Sequence, residues 1–301
     1  MKKRTFIIGD EWLYFKVYTG FKTADTILTD TIFTLSQSLL QENLIAHWFF
    51  IRYSDPQFHL RIRFHIPKSE NIASVIYRFN SVMQRYLIHD LVWKIQTDTY
   101  QREIERYGIE LIELSEHYFF LSSEMICKTI ALDSVLKDES LRWLLGLRMI
   151  DTLLTDFGYS LNEKHNLLNT LQESFGKEFN INNDFRRQFG KNYRTEKNRI
   201  EKILDKNSEQ DEEYIVLFKP ILENSELSKP IIEEVKNKRA EIEPPSLNDL
   251  LSSYIHMTLN RLFRTQQRTH ELILYDYLYR YYDSLIKRQK IVVNEKLKTE
   301  N

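Results

Sequence analysis

Two arginines set two residues apart in an alternating stretch are the first place where this chain could do chemistry. From His59 the sequence HLRIRFHI puts His59, Arg61, Arg63 and His65 on one side and Leu60, Ile62, Phe64 and Ile66 on the other. That period of two defines a strand with unlike faces. The apolar side suits burial. On the other side two guanidinium forks point the same way, and such forks match carboxylate geometry. Like charges along one strand face repel unless carboxylates or a bound anion compensate them. The strand therefore reads either as the floor of an anion site or as a surface strand salt-bridged to a neighbouring helix.

Two further segments carry candidate groups. In YQREIERYG, Glu103 and Arg106 stand at i,i+3 on what reads as a helix start, so they share a face. An ordinary surface ion pair has the same spacing. In SYIHMTLNRLF, His256 and Asn260 stand at i,i+4 on an otherwise apolar helix. An imidazole there suits acid-base work because its pKa lies near working pH, and a hydrogen-bonded core histidine is the plainer alternative. His59 and His65 supply only two ligands, no HExxH or HxxxH helix occurs, and no metal site is expected.

Composition narrows the classes. The chain has 301 residues, 42% of them hydrophobic, enough for one or two closely packed units. Gly is low at 7, and neither GxGxxG nor GxxxxGK[ST] occurs, which argues against a dinucleotide or P-loop fold. Lys+Arg 42 against Asp+Glu 43 leaves a net charge of -1, so direct nucleic-acid contact has no global electrostatic support. The single cysteine, Cys127, lies in an apolar run and reads as a buried thiol. No apolar run reaches the length of a membrane span, no signal peptide is recognisable, and a cytoplasmic location is expected.

The elements that must position these residues follow from patterning. Strands are expected at Trp12–Tyr18, Ala46–Tyr53, Gln57–Ile66 and Leu91–Thr97, with helices at Thr23–Asn43 and Ser69–Tyr86. That β-α-β-β-α-β order is the ferredoxin-like pattern. Helices follow, among them Ile109–Leu132, Ser140–Phe157, the charged Asp184–Asp205 and His270–Lys287, with acidic Ser208–Glu213 as a loop or helix start. Glu243-Pro244-Pro245 punctuates the chain before Ser246, which looks like the N-cap of Leu247–Phe263. The expected fold class is α+β: a ferredoxin-like part over 1–100 and a mainly helical part over 101–301 packed on it, together one functional unit.

Taken in order, WLYFKVYTG, WFFIRYSDPQFHLRIRFH, YQREIERYG and SYIHMTLNRLF resemble the C-terminal, glutamate-elimination domain of class I lanthipeptide dehydratases, the nisin-type enzymes. The same module occurs alone in thiopeptide-type bacteriocin pathways. The resemblance covers nearly the whole chain and implies a stand-alone member of a split system or an excised domain. It implies a lyase that takes a precursor peptide glutamylated on Ser or Thr, removes the α-proton and expels glutamate, leaving dehydroalanine or dehydrobutyrine. Its partners would be that peptide and a separate glutamyl-tRNA-dependent glutamylation protein, and a homodimer stays open. No cofactor or metal is implied. The family's residues fall on Arg61 and Arg63, on Glu103 and Arg106, and on His256, with no departure at these positions. The resemblance makes His256, Arg63 and Arg106 catalytic and gives substrate binding to Arg61 and Glu103.

Two other readings stand beside this one. Thiopeptide pyridine synthases resemble the same module but join dehydroalanines by a formal [4+2] cycloaddition, which needs no glutamate pocket. A non-catalytic subunit would instead bind an extended peptide along the sheet edge.

Overall fold

In the computed structural model the chain runs β1 (Thr5–Phe6), β2 (Trp12–Thr19), α1 (Phe21–Thr26), a π-helical segment (Ile27–Ile32), α2 (Phe33–Gln41), β3 (His47–Ser54), β4 (Phe58–His65), a 3-10 turn (Ser69–Asn71), α3 (Ile72–Ile88), β5 (Val92–Thr97), β6 (Tyr100–Gln101), α4 (Ile104–Tyr107), α5 (Ile112–Leu136), α6 (Leu141–Asp156), α7 (Leu161–Glu178), α8 (Asn183–Leu204), a second 3-10 turn (Lys206–Gln210), α9 (Glu212–Arg239), α10 (Leu247–Leu262) and α11 (Gln267–Thr299). The structure describes residues 2–136, 140–239 and 245–299. Glu243 and Pro244, read above as punctuation, lie outside the described residues. Two compact units divide the chain: Met1–Asp138 with Leu222–Thr265, and Glu139–Ile221 with Gln266–Asn301. Helices α4, α5 and α10 group with the sheet in the first unit.

The first unit contains the expected β-α-β-β-α-β element. Its sheet has the order β3-β4-β2-β5, antiparallel throughout, which is the ferredoxin-like arrangement. The register places Arg63 between Tyr14 and Phe49, and Arg61 between Lys16 and Ile51. Leu60, Ile62 and Phe64 point to the opposite face and are fully buried. There Phe15 stacks on Phe79 of α3 with ring centroids 3.9 Å apart, beside the buried Ile27, Leu28, Val75 and Met83. Each such side chain contributes roughly 1.5–3 kcal/mol by leaving water. The arginine face is covered as well, because Trp12, Tyr14, Phe49 and Tyr100 pack over it and leave His59 and Arg63 buried.

The edge strand β3 is closed by side chains. Phe50 N donates to Ser123 Oγ at 3.3 Å, and Phe50 O accepts from Arg261 Nε at 2.7 Å. Arg52 N donates to Asn260 Oδ1 at 3.0 Å, and Arg52 O accepts from Asn260 Nδ2 at 2.9 Å. Residues of α5 and α10 thus stand where a further strand would pair. Helix α10 begins as expected: Ser246 and Asp249 form a reciprocal capping box.

YQREIERYG is not the helix start that its spacing suggested. Tyr100–Gln101 pairs with Thr5–Phe6 as a two-stranded sheet, and only Ile104–Tyr107 makes a helical turn before Gly108 at φ 78. Burial decides this: the Tyr100 ring stacks on Phe6 at 5.8 Å, which fixes residues 100 and 101 as extended.

The second unit is helical. Capping by Ser160 starts α7 and capping by Asn182 starts α8. Asp151 accepts from Tyr282 OH at 2.7 Å and from Lys164 Nζ at 2.6 Å, a buried polar cluster satisfied within the unit. The basic helix α8 carries exposed pairs such as Arg187–Asp184 and Arg199–Glu196, the pattern of a solvated face. No helix among the described residues is long and apolar enough to cross a membrane.

Candidate functional site

The site lies on the face of β4 that carries the arginines. The Arg63 guanidinium sits among three rings, its Cζ 4.6 Å from the Tyr14 centroid, 4.7 Å from Tyr100 and 5.1 Å from Phe49. The residue is 7% exposed, and its Nε has no hydrogen-bond partner. Among the described residues no carboxylate hydrogen-bonds to Arg63 or Arg61 or forms a salt bridge with either. Burial draws the Arg63 pKa down, opposed by the Tyr100 and Tyr14 phenols and the Glu103 carboxylate. Guanidinium still stays protonated. A buried cation held by π-faces alone keeps its donors for a ligand.

Arg61 is oriented by its neighbours. Its Nε donates to His59 Nε2 at 3.2 Å, and His59 Nδ1 lies 2.8 Å from Gln57 O. The Arg61 Cζ stacks 3.4 Å from the Tyr53 centroid. His59 is thus a neutral imidazole that fixes Arg61, and burial lowers its pKa. Lys16, across the sheet from Arg61, is engaged by Asp98.

Glu103 and Arg106 pair at 3.3 Å with both side chains substantially exposed. Glu103 acts electrostatically on Arg63, so Arg61, Arg63, Glu103 and Arg106 belong to one neighbourhood. His256 lies half-buried on α10 in the same compact unit. Asn260, one turn further along, spends its amide on the Arg52 backbone, which fixes the helix against β3.

Three features of the site were not read from the sequence. Tyr14 and Tyr100 cage Arg63, which depends on a strand register that period-two patterning does not contain. Arg102 and Glu116 anchor the cage: Glu116 accepts from Tyr100 OH at 2.7 Å and from Arg102 Nη2 at 2.6 Å. Arg261 is fully buried, with Nε on Phe50 O, Nη1 on Met257 O at 3.1 Å and Nη2 unpartnered. Burial brings its pKa down to about 9. An arginine among the buried positions of an apolar helix was the available signal.

The remaining titratable groups stand apart from this chemistry. His65 pairs with His47, their Nδ1 atoms 3.1 Å apart, and the His117 ring packs 4.8 Å from His47. Among the described residues no group of three or more His, Cys, Asp or Glu is placed to hold a metal ion. Cys127 is buried, and burial pushes its thiol pKa well up.

What this face can do is bind a small anion with arginines whose charge is little screened by water. The fold that carries it has known relatives. The lantibiotic biosynthesis dehydratase C-terminal family matches residues 12–282, and the chain belongs to that family. It is 25% identical over 169 residues to the subtilin biosynthesis protein SpaB of Bacillus subtilis, an alignment that takes in 55% of this chain and 16% of SpaB. The chain therefore spans only a small part of that relative's length. Its fold is similar to that of the tRNA-dependent lantibiotic dehydratase MibB from Microbispora sp. 107891, with a TM-score of 0.74, 21% identity, and coverage of 93% of this chain and 29% of MibB. It is also similar to the pyridine synthase TbtD from thiomuracin biosynthesis, with a TM-score of 0.62, 14% identity, and coverage of 91% of this chain and 97% of TbtD.

Proposed function

We propose that this chain is the eliminating component of a peptide dehydratase. Its substrate is a ribosomally made precursor peptide carrying glutamate esterified to Ser or Thr, and its product is dehydroalanine or dehydrobutyrine. The carrying observation is the pair Arg61 and Arg63, adjacent on one strand face, without a carboxylate partner among the described residues, and fixed by rings and a histidine. Such a pair suits the free carboxylate of an esterified glutamate.

The reaction removes the α-proton, forms the Cα–Cβ double bond and breaks the Cβ–O bond, so that glutamate leaves as a carboxylate. His256 serves as the acid-base group for the α-proton or for the departing carboxylate. Arg63 and Arg106 stabilise negative charge as it develops, in a site where such stabilisation is large. Arg61 and Glu103 orient the glutamyl group, Glu103 through its ammonium. The ester itself is supplied by a glutamyl-tRNA-dependent protein.

Mass spectrometry of a synthetic glutamyl-serine peptide incubated with this protein alone tests the reading. Loss of glutamic acid supports it; an unchanged peptide beside an active control dehydratase overturns it. The likeness to TbtD along nearly its whole chain favours a second reading, cycloaddition between two dehydroalanines. A peptide carrying two dehydroalanines, incubated in parallel, separates the two.

A further inference from the structure

The two edges of the sheet are treated differently. At β3 the outward backbone groups of Phe50 and Arg52 are occupied by Ser123, Asn260 and Arg261. At β5 the only strand neighbour among the described residues is β2. Asp98 N donates to Tyr14 O at 3.1 Å, so residues 94, 96 and 98 turn their backbone groups toward β2. Alternation then turns those of Ile95 and Thr97 outward. Lys94, which could guard the edge, lies with its Nζ 4.9 Å over the Tyr18 ring, drawn back over the sheet. Leu91 and Trp93 beside it are 45% and 52% exposed.

We propose that the β5 edge pairs with an extended segment of the peptide substrate that flanks the glutamylated residue. This rests on the eliminase reading for the identity of the peptide, and on the edge itself for the mode of binding. The matching segment is apolar, to cover Leu91 and Trp93, with an acidic side chain facing Lys94, the one charge on the strand. A strand added to β5 lies three strand spacings from β4, roughly 14 Å. The paired residues are therefore not the reacting ones. At about 3.3 Å per residue the glutamylated residue lies at least about four or five positions away along the peptide, where the chain crosses onto the face of Arg61 and Arg63. Strand addition of this kind takes affinity from main-chain bonds and specificity from alternate side chains.

The test uses two synthetic peptides with one central glutamyl-serine. One is short; the other carries alternating valine and glutamate extensions on both sides. Elimination kinetics should show a KM about tenfold lower for the extended peptide at equal kcat. Single backbone N-methyl groups in the extension should weaken binding at every second position and leave the intervening positions neutral. Ile95→Pro and Thr97→Pro should raise the KM of the extended peptide to that of the short one and leave the short peptide unaffected. A flat N-methyl scan, or no advantage for the extended peptide, overturns the proposal whether or not the proline variants fold. So does a wild-type protein that sediments as a dimer through this edge and binds neither peptide. If glutamate is never lost but titration of the extended peptides shows the period-two scan, the edge stands and the eliminase reading falls.

Discussion

His59 and Arg61, two residues apart on β4, form one unit: the imidazole Nε2 accepts the Arg61 Nε proton at 3.2 Å while Nδ1 faces Gln57 O at 2.8 Å. Only the neutral ring can do this, because a protonated ring would set N–H against N–H. Burial lowers the His59 pKa from its ordinary 6.5, so the acceptor survives as pH falls through that value. KM for a glutamylated peptide should therefore show no step as pH falls through about 6.5. His59→Phe should raise KM about tenfold with little change in kcat, the scale of one oriented hydrogen bond. A variant with unaltered KM would show that Arg61 needs no such support.

The ring cage makes a sharper prediction for Arg63. A lysine keeps the charge but loses the planar group that lies 4.6–5.1 Å from three aromatic centroids. Arg63→Lys should fold with a Tm near wild type yet lose about 10–100-fold in kcat/KM for elimination, since the site needs a flat fork and not a point charge. Tyr100→Phe tests the frame separately. It leaves Glu116 to Arg102 alone and should cost about 1–3 kcal/mol of stability, measured by urea unfolding. Full activity in Arg63→Lys would place the anion elsewhere.

Much of this was legible beforehand. Strict alternation in HLRIRFHI sets that strand's faces, the aromatic run WLYFKVY marks its neighbour as a strand, and Ser246 announces the start of α10. What stayed hidden depends on tertiary contact. The pairing of Thr5–Phe6 with Tyr100–Gln101 spans two residues on each side, too few for any period to show. Pro220 and Pro230 lie inside α9, where local rules break a helix at a cost of about 3 kcal/mol each. Burial of Phe218, Ile221, Ile231, Ile232 and Val235 offsets that cost. Asn260 read as a neighbour of His256 on a helix face, whereas its amide substitutes for a β-strand. Nothing in the spacing distinguishes the two, because an i,i+4 pair is defined within its own helix and the strand it meets lies two hundred residues away.

Asn260 therefore carries a prediction of its own. Asn260→Ala removes the acceptor and the donor that Asn260 offers to the N–H and C=O of Arg52 at the covered edge of β3. At about 1–3 kcal/mol for each of the two groups that loses its bond to Asn260, the loss should be about 2–6 kcal/mol, read from the urea midpoint. Asn260→Asp restores the acceptor but not the donor and should recover less than half of it. Because the same contact fixes α10, both variants should also slow elimination in peptide assays run well below the unfolding temperature. His256→Ala should lower the rate by roughly 10²–10⁴-fold without the stability loss. Equal stability of Asn260→Ala and wild type would mean that the edge is closed by Ser123 and Arg261 alone.

The histidine cluster at the far end of the arginine face should weaken the fold in acid. Burial, then the neighbouring His117 and His65, takes the His47 pKa from 6.5 down to about 4, and burial lowers His65 and His117 as well. Glu11, 3.9 Å from His65, opposes only part of this. The unfolded chain binds protons at these rings before the folded chain does. Their contribution to stability is thus whole above pH 6.5 and is lost as pH falls from 6.5 toward 4. For His47 that loss is about 2–3 kcal/mol, allowing for partial solvent screening. His47→Gln removes the titrating group while keeping a polar side chain of similar length. The urea midpoint of the variant should change less between pH 7.5 and pH 4.5 than that of wild type, by an amount matching this loss. Parallel pH profiles for the two proteins would assign the acid sensitivity to groups other than His47.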